Sequence, residues 1–213
     1  MATQLPLFVC PSDNGPMYTA YNSMNDGTPY YAISKNSPLF GNRANYDFST
    51  SPVFEMFYVN GWKSWSQYGG TPWRAMFGTN SNCKIRDVLD GTSFTMAVGE
   101  TTRAVANGNG NSWSYRGWMM VGVSMYDGIW NYPSGVNQWM CMGSGWCGGF
   151  NPNSYQYGRL ASWGMCGSLH PTGLLILMAD GSTHFINELT DNVTLTRLGC
   201  MSDHYTFDQS NLQ

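Results

Sequence analysis

Leu174-Leu175-Ile176-Leu177-Met178-Ala179-Asp180-Gly181-Ser182-Thr183-His184-Phe185-Ile186-Asn187 is the stretch on which the fold turns. An apolar run, an Asp-Gly and a run alternating between polar and apolar residues read as a β-hairpin. Residues 174–179 form the outgoing strand, Asp180-Gly181 a two-residue turn, and residues 182–187 the return strand. A two-residue turn fixes the register. Ala179 then faces Ser182, Ile176 faces Phe185, and Leu174 faces Asn187. Phe185 shares a face with Ile176, Ile186 shares the other with Leu175, and His184 has Leu177 as its partner. The outgoing strand is apolar on both faces, so both should be covered. The rest of the chain is expected to cover one, and a helix that this chain does not contain the other.

Outward from the hairpin, turn signals are dense. Asp-Gly recurs at positions 26, 90 and 127, and Asn-Gly at 14, 60, 107 and 109. Both dipeptides favour tight reversals. Between them lie short apolar or aromatic runs at 5–9, 95–98 and 118–123, the pattern of a β-rich domain with long loops. Helices are few: a single turn over 84–89, stopped by Asp90-Gly91, and a short helix over 191–198, with Asp191 as N-cap and Gly199 as stop. No linker divides the chain. The expectation is one domain over 1–213, α+β and β-rich, with an antiparallel sheet, long aromatic and Gly-rich loops and a loop-rich insertion at about 131–167.

Composition narrows the class. Of 213 residues, 11% are charged and 15% aromatic, with 25 Gly, 14 Met and 9 Trp. An average soluble domain carries roughly 25% charge. The aromatics exclude disorder, and the scarcity of Ala, Glu, Lys and Leu excludes a coiled coil. A net charge of −3 with no Lys/Arg cluster leaves no footprint for nucleic acid. No apolar run approaches the roughly 18 residues of a membrane helix.

Six cysteines stand at 10, 83, 141, 147, 166 and 200. Zinc sites favour close Cys or His pairs. The nearest pair, Cys141 and Cys147, has five residues between its members and no second pair to match. Disulfides are the preferred reading for Cys10, Cys83, Cys141, Cys147, Cys166 and Cys200, and they imply an oxidising compartment. Cys141 with Cys147 closes the shortest loop, and Cys166 with Cys200 would clamp the C-terminal segment. Against secretion, Met1-Ala2-Thr3-Gln4 does not open like a signal peptide.

Catalytic patterns are absent from the reading. His170 stands ten residues before Asp180, but a strand rising about 3.3 Å per residue separates them by roughly 20 Å. The hairpin register places His170 near Glu188 or Asp191, with a structural hydrogen bond. Gly143-Ser144-Gly145 is not a nucleophile elbow, and Gly108-Asn109-Gly110 is not a phosphate loop. Glu55, Glu100 and Glu188 are the glutamates available to a glycosidase. Trp113, Trp118, Trp130, Trp139 and Trp146 lie in Gly/Asn/Tyr-rich stretches, as core plugs or as contacts for a glycan or partner. Ser12-Asp13-Asn14 and Asn25-Asp26-Gly27 are oxygen-rich turns that could hold Ca²⁺. No other cofactor or metal is expected.

Three segments taken together resemble a known family. Residues 5–13, Leu-Pro-Leu-Phe-Val-Cys-Pro-Ser-Asp, resemble an LPxFxCPSD opening. Residues 85–100, Ile-Arg-Asp-Val-Leu-Asp-Gly-Thr-Ser-Phe-Thr-Met-Ala-Val-Gly-Glu, resemble ixDIxDGTSNTixVGE. His170-Pro171-Thr172-Gly173 and then Ala179-Asp180-Gly181-Ser182 resemble HPGG…xADGSVxF. This is similar to the prepilin-type processing-associated H-X9-DG domain of prepilin-like proteins. Members usually carry a leader and a long apolar helix before the CPSD segment, which this sequence lacks. Phe94 replaces the usual Asn, and Thr172 the usual Gly.

The resemblance implies a pilin-like globular head whose sheet packs on an N-terminal helix, at the cell surface or outside the cell, with the periplasm as alternative. It implies no catalytic residues. Cys10, Pro11, Ser12, Asp13, Asp90, Gly91, Thr92, Ser93, Gly99, Glu100, His170, Pro171, Asp180 and Gly181 are the motif positions, with architectural roles. The expected partners are copies of the chain or related pilin-like subunits, in a filament or pseudopilus. An extracellular glycan-binding module is the alternative, and a secreted hydrolase stands third.

Overall fold

The computed structural model describes residues 3–18, 41–50, 74–78, 81–107, 110–113, 122–125, 135–140, 155–205 and 207. It is a β-rich α+β fold. Four antiparallel strands form the main sheet in the order β1 (Tyr46–Phe48), β2 (Met96–Glu100), β5 (Gly173–Met178), β6 (Thr183–Asn187). A parallel pair, β3 (Val105–Asn107) and β4 (Leu160–Ser162), forms a second sheet. Among the described residues one α-helix, α1 (Asn192–Gly199), follows β6.

The hairpin forms with a register one residue away from the expected one. Leu177 pairs with Thr183, Ile176 with His184, Leu175 with Phe185, Leu174 with Ile186 and Gly173 with Asn187. The connection has three residues, 179–181, closed by the Met178 amide on the Ser182 carbonyl at 2.8 Å. Gly181 occupies the left-handed region at φ 89°, the position a three-residue hairpin loop reserves for glycine. The Ala179 amide does not face Ser182, because it donates to the Thr95 carbonyl at 2.9 Å beside β2.

The shift changes which residues share a face. Leu174, Ile176, Met178 and Ile186 are all buried on the inner face with Met96. Leu195 and Leu198 of α1, Val123, Met125, Val136 and Cys166 close over them. Val136 and Cys166 belong to the 131–167 stretch, so its described part builds core as well as loop. The outer face carries Leu175 at 44% exposure, Phe185 at 38% and Phe48 at 45%. Val98 and Leu177, paired in register, lie between them.

Asp191 caps α1 through both carboxylate oxygens, to Val193, Thr194 and the Thr194 hydroxyl. Those hydrogen bonds from Thr194 hold its carboxyl below the ordinary range. Gly199 is the last helical residue, and Cys200 is the C-cap. The turn in 84–89 is a 3-10 turn, Ile85–Asp87. The apolar 5–9 run is not a strand: Pro6 opens a 3-10 turn, Pro6–Phe8, as its fixed φ favours.

Thr172 sits at φ 65° where the chain reverses into β5. The left-handed region costs a β-branched residue about 1–2 kcal/mol. Replacing Thr172 with Gly should therefore raise stability by about 0.5–1 kcal/mol after glycine's unfolded-state entropy is counted. Thermal unfolding should move up by about 1–4 °C; an unchanged or lower midpoint would show that Thr172 is not strained there.

Candidate functional site

The motif residues assemble into three fastenings. The first is Asp13, whose carboxylate is buried in a ring of donors. It accepts from the Gly15 amide at 2.6 Å, the Arg103 amide at 2.8 Å and the Asn45 side-chain amide at 2.6 Å. Arg103 Nε lies 3.5 Å away, with both side chains less than 5% exposed. The Arg103 guanidinium also reaches the Asp13 carbonyl. Asn45 Oδ1 in turn accepts the Cys10 amide at 3.0 Å. Residues 10–15 are thus tied to β1 and to the chain beyond β2, while Pro11 and Ser12 stay exposed in the turn. Of the two oxygen-rich turns, the Asp13 carboxylate is taken up by these donors, and Asn25-Asp26-Gly27 lies outside the described residues.

The second fastening joins the two Asp-Gly turns. Asp90 accepts the Asp203 and His204 amides at 2.8 and 2.7 Å, anchoring the segment after α1. Gly91 takes φ 100°, and Thr92 and Ser93 continue the turn toward β2. The Thr92 carbonyl accepts the Asp180 amide at 3.1 Å. Asp180 meanwhile bonds the Ser182 amide and hydroxyl, which hold its carboxyl below the usual range.

The third fastening is Cys10, Glu100 and His170. Cys10 follows the 3-10 turn, Glu100 ends β2, and His170 stands in the loop before β5. Cys10 Sγ lies 3.7 Å from His170 Nε2, and Glu100 Oε1 lies 3.5 Å from the same nitrogen. One ligand atom from each residue falls within 4.8 Å of the others. Glu100 and Cys10 are buried, whereas the His170 side chain is 32% exposed. Glu100 Oε2 accepts the Leu175 amide at 2.7 Å. Burial pushes the Glu100 carboxyl up, and the Leu175 amide and His170 pull the other way.

His170 is therefore not beside Glu188 or Asp191. Glu188 takes the Asn137 side-chain amide at 3.1 Å, and Asp191 serves as the cap. The hairpin register relates β5 to β6 alone, whereas β2 is the neighbour on the other side of β5. Pro171 beside it is exposed. Gly99 meets a close approach: a Cβ there would lie 2.8 Å from Cys166 Sγ.

The cysteines depart from expectation. Cys10, Cys83, Cys166 and Cys200 are free, so Cys166 and Cys200 form no clamp. Cys166 is packed under β2 at Gly99, while Cys200 ends α1. Burial pushes both of these thiols up, the state of inert core cysteines. Cys141 and Cys147 lie outside the described residues. Among the tryptophans, Trp139 is buried and tilts against Tyr157 at 5.3 Å, and Trp113 stacks on Phe8 at 6.0 Å. Trp139 thus plugs the structure rather than offering a face to a glycan. Trp118, Trp130 and Trp146 lie outside the described residues.

These fastenings define a β-rich α+β domain whose sequence motifs meet around one sheet. The chain belongs to the family described as protein of unknown function DUF1559, whose model matches residues 1–193. No curated protein and no solved structure matches it.

Removing the Asp13 carboxylate would leave Arg103 buried without its counter-charge. Asp13→Ala should cost about 3–5 kcal/mol in denaturant unfolding. A loss below about 1 kcal/mol would show that this knot does not hold the N-terminal segment.

Proposed function

We propose that this chain is a non-catalytic, pilin-like or pseudopilin-like structural subunit that works by packing against copies of itself or related subunits outside the cytoplasm. The observation that carries the reading is the asymmetry of the main sheet. Its inner face is closed by α1 and by core side chains. Its outer face presents Phe48, Val98, Leu175, Leu177 and Phe185, three of them well exposed. A contiguous apolar sheet face in water marks an association surface. No helix in the described residues is long and apolar enough to cross a membrane.

The free thiols remove four of the six cysteines from the argument for an oxidising compartment. The extracellular part of the proposal rests instead on the motif resemblance and the low charge.

The double variant Leu175→Glu/Phe185→Lys places opposite charges directly across the β5–β6 pair, a combination antiparallel strands accept. Sedimentation velocity should show concentration-dependent self-association of the native chain and its loss in the variant. Unfolding free energy should stay within about 1 kcal/mol. A native chain that sediments as a monomer at every concentration, or a variant that associates equally, would remove the proposal.

A further inference from the structure

We propose that Cys10, Glu100 and His170 bind a divalent metal ion of zinc's chemical class, clamping three separate segments of the chain together. The argument begins with the hydrogen count on one atom. Both short contacts end on His170 Nε2, at 3.7 Å from Cys10 Sγ and 3.5 Å from Glu100 Oε1. A neutral imidazole nitrogen carries either one hydrogen or one lone pair, so it serves one partner well and leaves the other facing it unmatched. A cation between the three atoms uses a lone pair from each. A nucleophile–base–acid relay needs the thiol and the carboxylate on different ring nitrogens, which this arrangement does not provide.

The spacing agrees. Zinc bonds of about 2.3 Å to sulfur and about 2.0–2.1 Å to nitrogen or oxygen, at tetrahedral angles, give ligand–ligand edges of roughly 3.3–3.6 Å. The two measured edges, 3.7 and 3.5 Å, lie in or within about 0.1 Å of that range, and the third, Cys10 Sγ to the Glu100 carboxylate, is within 4.8 Å. Thiolate, imidazole and carboxylate together suit borderline-soft zinc rather than calcium or magnesium, which prefer oxygen alone.

Outer contacts fix the Glu100 carboxylate itself, as ligating carboxylates require, and the backbone that carries the other two ligands. The Leu175 amide takes the second Glu100 oxygen. The Cys10 amide is fixed by Asn45, and the His170 amide donates to Ser168 Oγ at 3.1 Å. Three protein ligands leave a fourth position for water, and the partly exposed His170 ring gives solvent a route to it. Binding would release the Cys10 thiol proton to solvent.

The test uses the full chain, reduced and stripped with chelator, titrated with Co²⁺ and Zn²⁺. One equivalent of Co²⁺ should bring up a thiolate-to-metal charge-transfer band, and Zn²⁺ should displace it. At a hundredfold excess of Zn²⁺ over its Kd, the melting temperature should rise by about 5–10 °C. Cys10→Ser should abolish the band, while Cys83→Ser should keep it. His170→Gln should weaken binding about 100-fold or more. It alters a partly exposed ring, so it carries the test should Cys10→Ser fail to fold by circular dichroism. No band in the native chain, a band that persists in Cys10→Ser, or unchanged affinity in His170→Gln would overturn the proposal. None of these readouts depends on self-association, so failure here leaves the packing proposal standing.

Discussion

Glu100 is the residue around which the described structure is organised. It ends β2 with its carboxylate buried. The β2–β5 ladder runs to Gly99 opposite Ile176, and there the Glu100 side chain takes over, accepting the next β5 amide itself. Its main-chain carbonyl takes the Gly167 amide at 2.9 Å, bringing in the segment that carries Cys166. Its other carboxylate oxygen faces His170. A residue at the end of a strand thus closes the β2–β5 ladder with its carboxyl group, receives the returning 160s segment through its main-chain carbonyl and sits against His170 and Cys10. A buried carboxylate is costly unless every oxygen has a partner, so these contacts are one requirement met in several places.

This constraint explains how much of the fold could be read from residues alone. The hairpin was legible because strand periodicity and Asp-Gly are local signals, and α1 because Asp191 is an N-cap of the ordinary kind. The register was not. A two-residue turn requires Ala179 to close on Ser182, but Ala179 and Asp180 give their amides to Thr95 and Thr92. Those acceptors lie more than eighty residues upstream, so nothing inside the hairpin announces the longer loop. A two-residue turn pairs Phe185 with Ile176 and brings His170 toward Glu188, whereas the longer loop pairs Phe185 with Leu175.

The metal-type cluster was illegible for a related reason. Spacing rules for zinc look for ligands within a few residues of one another, whereas positions 10, 100 and 170 are joined only by the sheet. The trace that sequence did hold was indirect. Each of the three resembling segments supplies one member of the cluster: Cys10 after Leu-Pro-Leu-Phe-Val, Glu100 after Val-Gly, His170 before Pro-Thr-Gly. Read separately they are turn and strand signatures. Only their meeting in space gives them a shared chemistry.

The scarcity of charge takes on a different meaning once the placement of charges is known. At least seven of the 23 charged residues are buried: Asp13, Arg43, Asp47, Asp90, Glu100, Arg103 and Arg159. Several are internal fasteners. Asp13 binds Arg103, the Arg43 guanidinium reaches the Arg103 carbonyl, and Asp90 binds the segment after α1. Packing against Arg103 away from water draws the Arg43 guanidinium down to about 10, burial being the larger cause. The surface is therefore poorer in charge than an already low total implies. Charge at the surface is what keeps copies of a soluble protein apart. Here much of it lies inside and holds loops, while an apolar sheet face stays outside, and these are the two features on which the packing proposal draws.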